Sequence, residues 1–122
     1  MDEKINQLLI DIFNQKSSQA YKARREHLKQ LFASYNSITD CNTKMFLQSI
    51  IESDKAYCIK MCNEQMMIEH NIFVLRYLSK RQPTVCEIAQ SQNCVTRTAF
   101  NYINAALDRM MIFAYGIDGL RI

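Results

Sequence analysis

Apolar side chains recur at helical spacing along most of the chain. Ile5, Leu8, Leu9, Ile12 and Phe13 fall at i, i+3, i+4, i+7 and i+8. That stripe predicts an amphipathic helix over roughly residues 3–15. Ser17 and Ser18 can cap a second helix, whose apolar face is Tyr21, Leu28, Leu31, Phe32 and Tyr35 and which runs to about Asn36. The polar stretch from Ser34 to Thr43 reads as the first loop. Asp40 or Asn42 can then cap a segment carrying Met45, Phe46, Ile50, Ile51, Tyr57, Cys58, Met61 and Cys62, which the pattern allows as one long helix or two. Asn63 opens a further helix with Met66, Met67, Ile72, Phe73, Leu75, Tyr77 and Leu78 on its apolar positions. It must stop before Pro83, because the residue preceding a proline disfavours helix.

Beyond Pro83 the pattern changes. Pro83 or Thr84 starts a short helix that runs to Gln90 with Val85, Ile88 and Ala89 inward, and Ser91, Gln92 and Asn93 form a polar break. A longer helix follows, with Thr96 as its cap and Ala99, Ile103, Ala106, Leu107 and Met110 as its buried stripe. A short helix bearing a small residue, a tight turn and a long helix make a helix-turn-helix. Asn93 suits the turn because asparagine tolerates the left-handed backbone better than other residues with a side chain. The second helix would then enter a DNA major groove with its N-terminal residues forward.

Its predicted outer face supports that use. Arg97, Thr98, Asn101, Asn104 and Asp108 are polar or charged. Arginine and asparagine can make paired hydrogen bonds to guanine and adenine edges. Arg97 and Asn101 are the candidates for bases, while Thr84, Thr96, Lys80 and Arg81 stand where phosphates would be met.

Composition narrows the class. The chain has 122 residues, of which 48% are hydrophobic and 22% charged, with 2 Gly and 1 Pro. So few turn formers exclude collagen-like, linker-like and turn-dense β architectures, and the expected fold class is all-α. A helical N-terminal region over 1–65, used for packing or dimerisation, would precede the helix-turn-helix region of 66–122. Charge is uneven: residues 1–72 balance nine basic against nine acidic side chains, whereas residues 73–122 carry six basic and three acidic. The positive excess lies with the candidate motif, where it permits phosphate contacts. The run Lys22, Arg24, Arg25 and Lys29 reads as a solvated helix face.

No window approaches the ~20 apolar residues of a membrane span, and the start lacks the layout of a secretory signal, so a cytoplasmic protein is expected. Five cysteines, at 41, 58, 62, 86 and 94, do not form an even disulfide framework and read mostly as buried thiols. Cys58, Cys62 and His70 fall short of zinc-ligand spacing, so no metal and no cofactor is expected. The chain lacks a phosphate-binding loop, a dinucleotide turn and a zinc-protease motif, and His27 and His70 read as structural, so an enzyme is not expected.

Three short runs carry a family likeness. Phe73-Val-Leu-Arg-Tyr-Leu78, Cys86-Glu-Ile-Ala89 and Thr96-Arg-Thr-Ala-Phe-Asn101 resemble the layout of the region-4 helix-turn-helix of sigma factors. The ending, Ala105-Ala-Leu-Asp-Arg109 and Phe113-Ala-Tyr-Gly-Ile-Asp-Gly119, is similar to that of phage transcriptional regulators of the ArpU and RinA type. The first likeness covers roughly residues 66–112; within it the interval from Ile88 to Thr96 is one residue longer than usual, and Asn93 stands where glycine is common. The resemblance implies a sigma-like, phage or mobile-element regulator with Glu87 to Gln90 in the supporting helix, Thr96 as cap, and Arg97, Thr98 and Asn101 facing DNA. Its partners would be double-stranded DNA and RNA polymerase; the apolar stripes of the first two helices call for burial against the rest of the chain or against a second copy. The competing expectation is an interaction module that docks on polymerase or a regulator without touching DNA, using Met61, Met66, Met67, Met110 and Met111 as an adaptable surface.

Overall fold

The computed structural model describes residues 19–119. The helix expected over 3–15 and the caps at Ser17 and Ser18 lie outside that range. Among the described residues there are five α-helices and one 3-10 turn, and no strand: α1 (Gln19–Ala33), the turn Tyr35–Ser37, α2 (Cys41–Met61), α3 (Glu64–Tyr77), α4 (Val85–Ser91) and α5 (Thr96–Gly119). The all-helical expectation holds for this range. No described helix is long and apolar enough to cross a membrane.

Local signals set the boundaries. Asp40 caps α2 by accepting from the Asn42 amide at 3.2 Å, and Thr43 donates to its other oxygen at 2.6 Å. The segment from Cys41 is one unbroken helix of 21 residues, which settles the alternative of one helix or two. It ends at Cys62, whose φ of 51° is left-handed, and Asn63 at once caps α3 through the Met66 amide at 3.1 Å. Asp54 and His70, each eight positions from Cys62, come within 2.7 Å of one another, so α3 returns alongside α2. The second predicted helix is three residues too long. α1 stops at Ala33, and Tyr35–Ser37 tighten into a 3-10 turn in which the Ser37 amide and hydroxyl both donate to the Ser34 carbonyl.

α5 packs against all four other helices and is the scaffold of the fold. Leu28 and Phe32 of α1, Leu47 and Ile50 of α2, Ile72, Phe73 and Tyr77 of α3, Ile88 of α4 and Ile103, Leu107, Met110 and Met111 of α5 form one core. Residues on both sides of position 65 thus share it. Phe73 joins Phe32 edge-on at 5.0 Å between ring centroids and meets Tyr77 at 4.8 Å, arrangements that suit the aromatic quadrupole. α5 breaks at Gly116, with φ 68° and ψ 171°, a region open essentially to glycine alone.

Two sequence expectations about the interior need correction. Of the five cysteines only Cys58 is buried; Cys41, Cys62 and Cys86 are exposed and Cys94 is half-buried. Cys41 opens α2, Cys62 follows its last turn and Cys86 lies in the first turn of short α4, all three at the surface. Met110 and Met111 are fully buried and offer no surface, whereas Met61 is exposed.

Candidate nucleic-acid interface

The residues singled out in the sequence gather around α4, the turn after it and the first turns of α5. α4 begins with a reciprocal cap. Thr84 Oγ1 accepts from the Glu87 amide at 3.2 Å, and Glu87 Oε1 accepts from the Thr84 amide at 3.2 Å, so two otherwise unpaired donors are satisfied. Glu87 also holds Arg81 in an ion pair. Ile88 and Ala89 point into the core.

The turn closes by backbone alone. The Cys94 amide donates to the Ala89 carbonyl at 3.0 Å and the Asn93 amide to the Gln90 carbonyl at 3.3 Å, with Asn93 at φ 54°. These are the paired bonds of a Schellman ending, and asparagine supplies the left-handed residue that glycine usually provides. Asn93 occupies the turn position expected of it. α5 then starts at Thr96, and the Val95 carbonyl accepts from the Ala99 amide at 3.2 Å. Thr96 is therefore the first helical residue rather than the cap, and its hydroxyl faces the Cys86 thiol of α4 at 3.7 Å. Ala89 and Ala99, both essentially without exposed area, are small enough to let the two helices pack closely.

On the outer side of α5, Arg97, Asn101 and Asn104 are exposed and Thr98 is half-buried. They do not act alike. The Arg25 guanidinium of α1 donates Nη2 to Asn104 Oδ1 at 2.9 Å and Nε to Asp108 Oδ1 at 3.2 Å, and the Tyr21 hydroxyl donates to the same Asp108 oxygen at 3.1 Å. α1 thus occupies the outer face from Asn104 onward and leaves Arg97, Thr98 and Asn101 ahead of it. Burial and the Asp108 charge push the Tyr21 phenol up to about 12. Sequence pattern placed Arg25 on a solvated face; it is half-buried instead, as is Arg24, which lies 5.6 Å from the Tyr115 ring.

Lys80 and Arg81 are exposed in the loop before α4. That loop is tied down from three sides: Asn36 Nδ2 donates to the Ser79 and Lys80 carbonyls at 3.0 and 3.2 Å, Arg76 to the Pro83 carbonyl at 3.1 Å and Gln82 to the Tyr77 carbonyl at 2.8 Å. Of the basic residues expected to give this half its excess charge, Arg81 is paired with Glu87, and Arg109 is drawn inward.

Arg109 belongs to a buried polar cluster that spacing did not announce. Its Nε donates to Asp54 Oδ1 at 2.8 Å, Nη2 to the Met66 carbonyl at 3.3 Å and Nη1 to Glu69. His70 Nδ1 lies 2.7 Å from Asp54 Oδ2. Asp54 has no exposed area, and His70 retains 3%. Burial alone pushes the Asp54 carboxyl up; hydrogen bonds from His70 and Arg109 and the guanidinium charge outweigh it and hold the group below its usual range. A histidine with an aspartate partner is therefore present, a pairing that spacing along the chain did not reveal. It is sealed from solvent and serves the core. Cys58, also buried, has its thiol pushed up by burial and by the Asp54 charge, which leaves it protonated. Among the described residues no three His, Cys, Asp or Glu side chains are placed to hold a metal ion.

Away from α4, an apolar cleft of about 480 Å3 lies where α2 turns into α3, lined by Cys58, Ile59, Cys62, Met67 and Ile68 among others. A smaller one of about 230 Å3 lies over Arg109, between Tyr57, Met66, Ile112 and Phe113. No protein-family model, curated protein or solved structure matches the chain.

Proposed function

We propose that this protein is a sequence-specific DNA-binding transcriptional regulator of the sigma-like, phage or mobile-element kind, in which α4 and α5 form a helix-turn-helix. α5 enters the major groove by its N-terminal turns, Arg97 and Asn101 contact base edges, and Thr98 lies beside them. Lys80 and Arg81 meet the phosphate backbone, and Thr84 and Thr96 stand beside it at the starts of α4 and α5. The observation that carries this reading is the exposure of Arg97 and Asn101, one turn apart, on a helix whose start is held by the Asn93 turn against α4. An arginine and an asparagine so presented have the hydrogen-bonding forks that guanine and adenine edges accept. Two copies joined through their N-terminal halves would set two such helices ~34 Å apart, one turn of DNA.

The test is binding of the purified protein to a fluorescent mixed-sequence duplex at two salt concentrations, beside Arg97→Ala and Asn101→Ala. Affinity should fall steeply with salt, because neutralised phosphates release counterions. Both substitutions should weaken it. A wild type that binds no duplex at low salt refutes the reading.

A second reading has its own support. Tyr57, Ile59, Met61, Ile68 and Phe113 are large apolar side chains at least a third exposed. A protein-docking module contacting RNA polymerase would use them, and its binding would change little with salt. Pull-down of polymerase that survives high salt and is lost with Ile59→Asp would favour it.

A further inference from the structure

One exposed side chain beside the candidate base readers has the wrong polarity for a solvated surface. Phe100 is 49% exposed, and it falls three positions after Arg97, one before Asn101 and four before Asn104. Those four positions, i, i+3, i+4 and i+7, form a single stripe of α5. Phe100 is the apolar member of a stripe whose other members are hydrogen-bonding. The core takes the opposite side of the helix, through Ala99, Ile103, Ala106 and Met110. α1 does not cover the phenyl group by any ring contact, since the aromatic pairs of the described residues lie elsewhere.

The occupant of such a stripe must satisfy two chemistries at once. Arg97 is exposed and forms no ion pair with the described residues, so it calls for a negatively charged or acceptor-rich partner. Phe100 calls for a small apolar group within one helical turn of those acceptors. The major-groove edge of an A·T pair is such a surface, carrying the thymine C5 methyl beside the O4 and N7 acceptors, and phenylalanine is among the side chains that contact that methyl.

We infer that Phe100 is a specificity-determining residue that packs on a thymine methyl next to the bases contacted by Arg97 and Asn101, so that the target contains a thymine at a fixed offset. This rests on the DNA-binding reading and adds a base preference to it. The readable stripe is short, because Asn104 is held by Arg25 at its far end.

The experiment selects duplexes from a pool randomised over about one DNA turn, using the full chain, and then replaces each thymine of the best duplex by uracil in turn. Uracil keeps the hydrogen-bonding edge and lacks the methyl. One replacement should weaken the wild type about four-fold, the value of one buried methyl-sized group. Phe100→Ala should bind the thymine duplex about as weakly as the wild type binds that uracil duplex, and should not respond to the replacement. Phe100→Leu should keep a reduced response. Phe100→Ala should melt within a few degrees of the wild type and stay folded at the assay temperature, since half the side chain is already in water, and Phe100→Leu should melt closer still. If the wild type binds duplex with a steep salt dependence but no uracil replacement affects it, or the same replacement affects Phe100→Ala equally, this inference fails and the DNA-binding reading stands. If the wild type binds no duplex, both fail. Loss of polymerase capture by Phe100→Ala with unchanged DNA binding would assign the residue to a protein contact and overturn the inference.

Discussion

Asp54 of α2 and Arg109 of α5 meet in the interior 55 positions apart, the guanidinium Nε donating to the carboxylate at 2.8 Å while Asp54 has no exposed area. His70 and Glu69 complete the set, so the cluster joins α2, α3 and α5 in one polar node. A buried pair of this kind is costly to break from one side, because the partner is left charged and unsolvated. Asp54→Asn should therefore cost about 3 kcal/mol of unfolding free energy, measured by urea denaturation. A loss under half that size would show that Glu69 alone suffices for Arg109.

The same pair has an acid limit. The folded carboxyl of Asp54 lies below its ordinary 3.8. A group depressed in this way adds stability that is fully present above its unfolded value and is lost as pH falls through its folded value. The gap in stability between wild type and Asp54→Asn should hold near neutral pH and narrow below 3.8. Denaturation midpoints for the two proteins across that range decide it, and a gap independent of pH would remove Asp54 from the acid response.

Asn93 makes the turn before α5 at φ 54°. Asn93→Gly should leave stability unchanged or raise it slightly, because glycine meets no penalty there. Asn93→Val should lower it by about 1–2 kcal/mol, the cost of a left-handed residue with a branched side chain. Equal melting of the two variants would contradict the turn geometry.

Asn104 and Asn101 are both exposed, yet Asn104 already accepts from Arg25. Under the DNA-binding reading, Asn104→Ala should change duplex affinity less than two-fold, whereas Arg97→Ala should weaken it about ten-fold, within the range of a lost base contact. Fluorescence anisotropy on one selected duplex measures all three proteins. An Asn104 effect as large as that of Arg97 would mean that Arg25 lets go on binding.

The thiols should separate by burial. Brief alkylation of the native protein, read by mass spectrometry, should label Cys41, Cys62 and Cys86 well before Cys58, which burial keeps both inaccessible and protonated. Cys58 should label as soon as denaturant is added; early labelling in the native state would place it outside the core.

Most of the described helices are readable from local sequence, but not all of their ends: α1 stops at Ala33 rather than near Asn36, and Thr96 is the first residue of α5 rather than its cap. Asp40, one of two caps the sequence offers there, and Asn63 cap α2 and α3, and Asn93 bends where its type permits; that Thr84 caps α4 instead of joining it is a finding of the structure. The apolar stripe of α5 became its buried face as its spacing required. The candidate interface was legible to the same extent: Arg97, Thr98 and Asn101 are together on the first turns of α5. The hold of Arg25 on Asn104 was not, and neither was the extra stability given to the loop before α4 by Asn36.

Capping, turn geometry and helical stripes depend on residues within about four positions of one another, so the order of the amino acids alone determined the all-helical character of the described residues, the starts of α2 and α3 and the polar stripe that begins at Arg97. Tertiary structure decided which charges face inward. Arg25 and Arg109 look alike in the chain, both lying on helices near acidic residues, yet one reaches Asn104 and Asp108 across 79 and 83 positions and the other enters the core to meet Asp54. That choice follows from where α1 and α2 cross α5 and how far desolvation is offset at each crossing, quantities that exist only once the helices have packed.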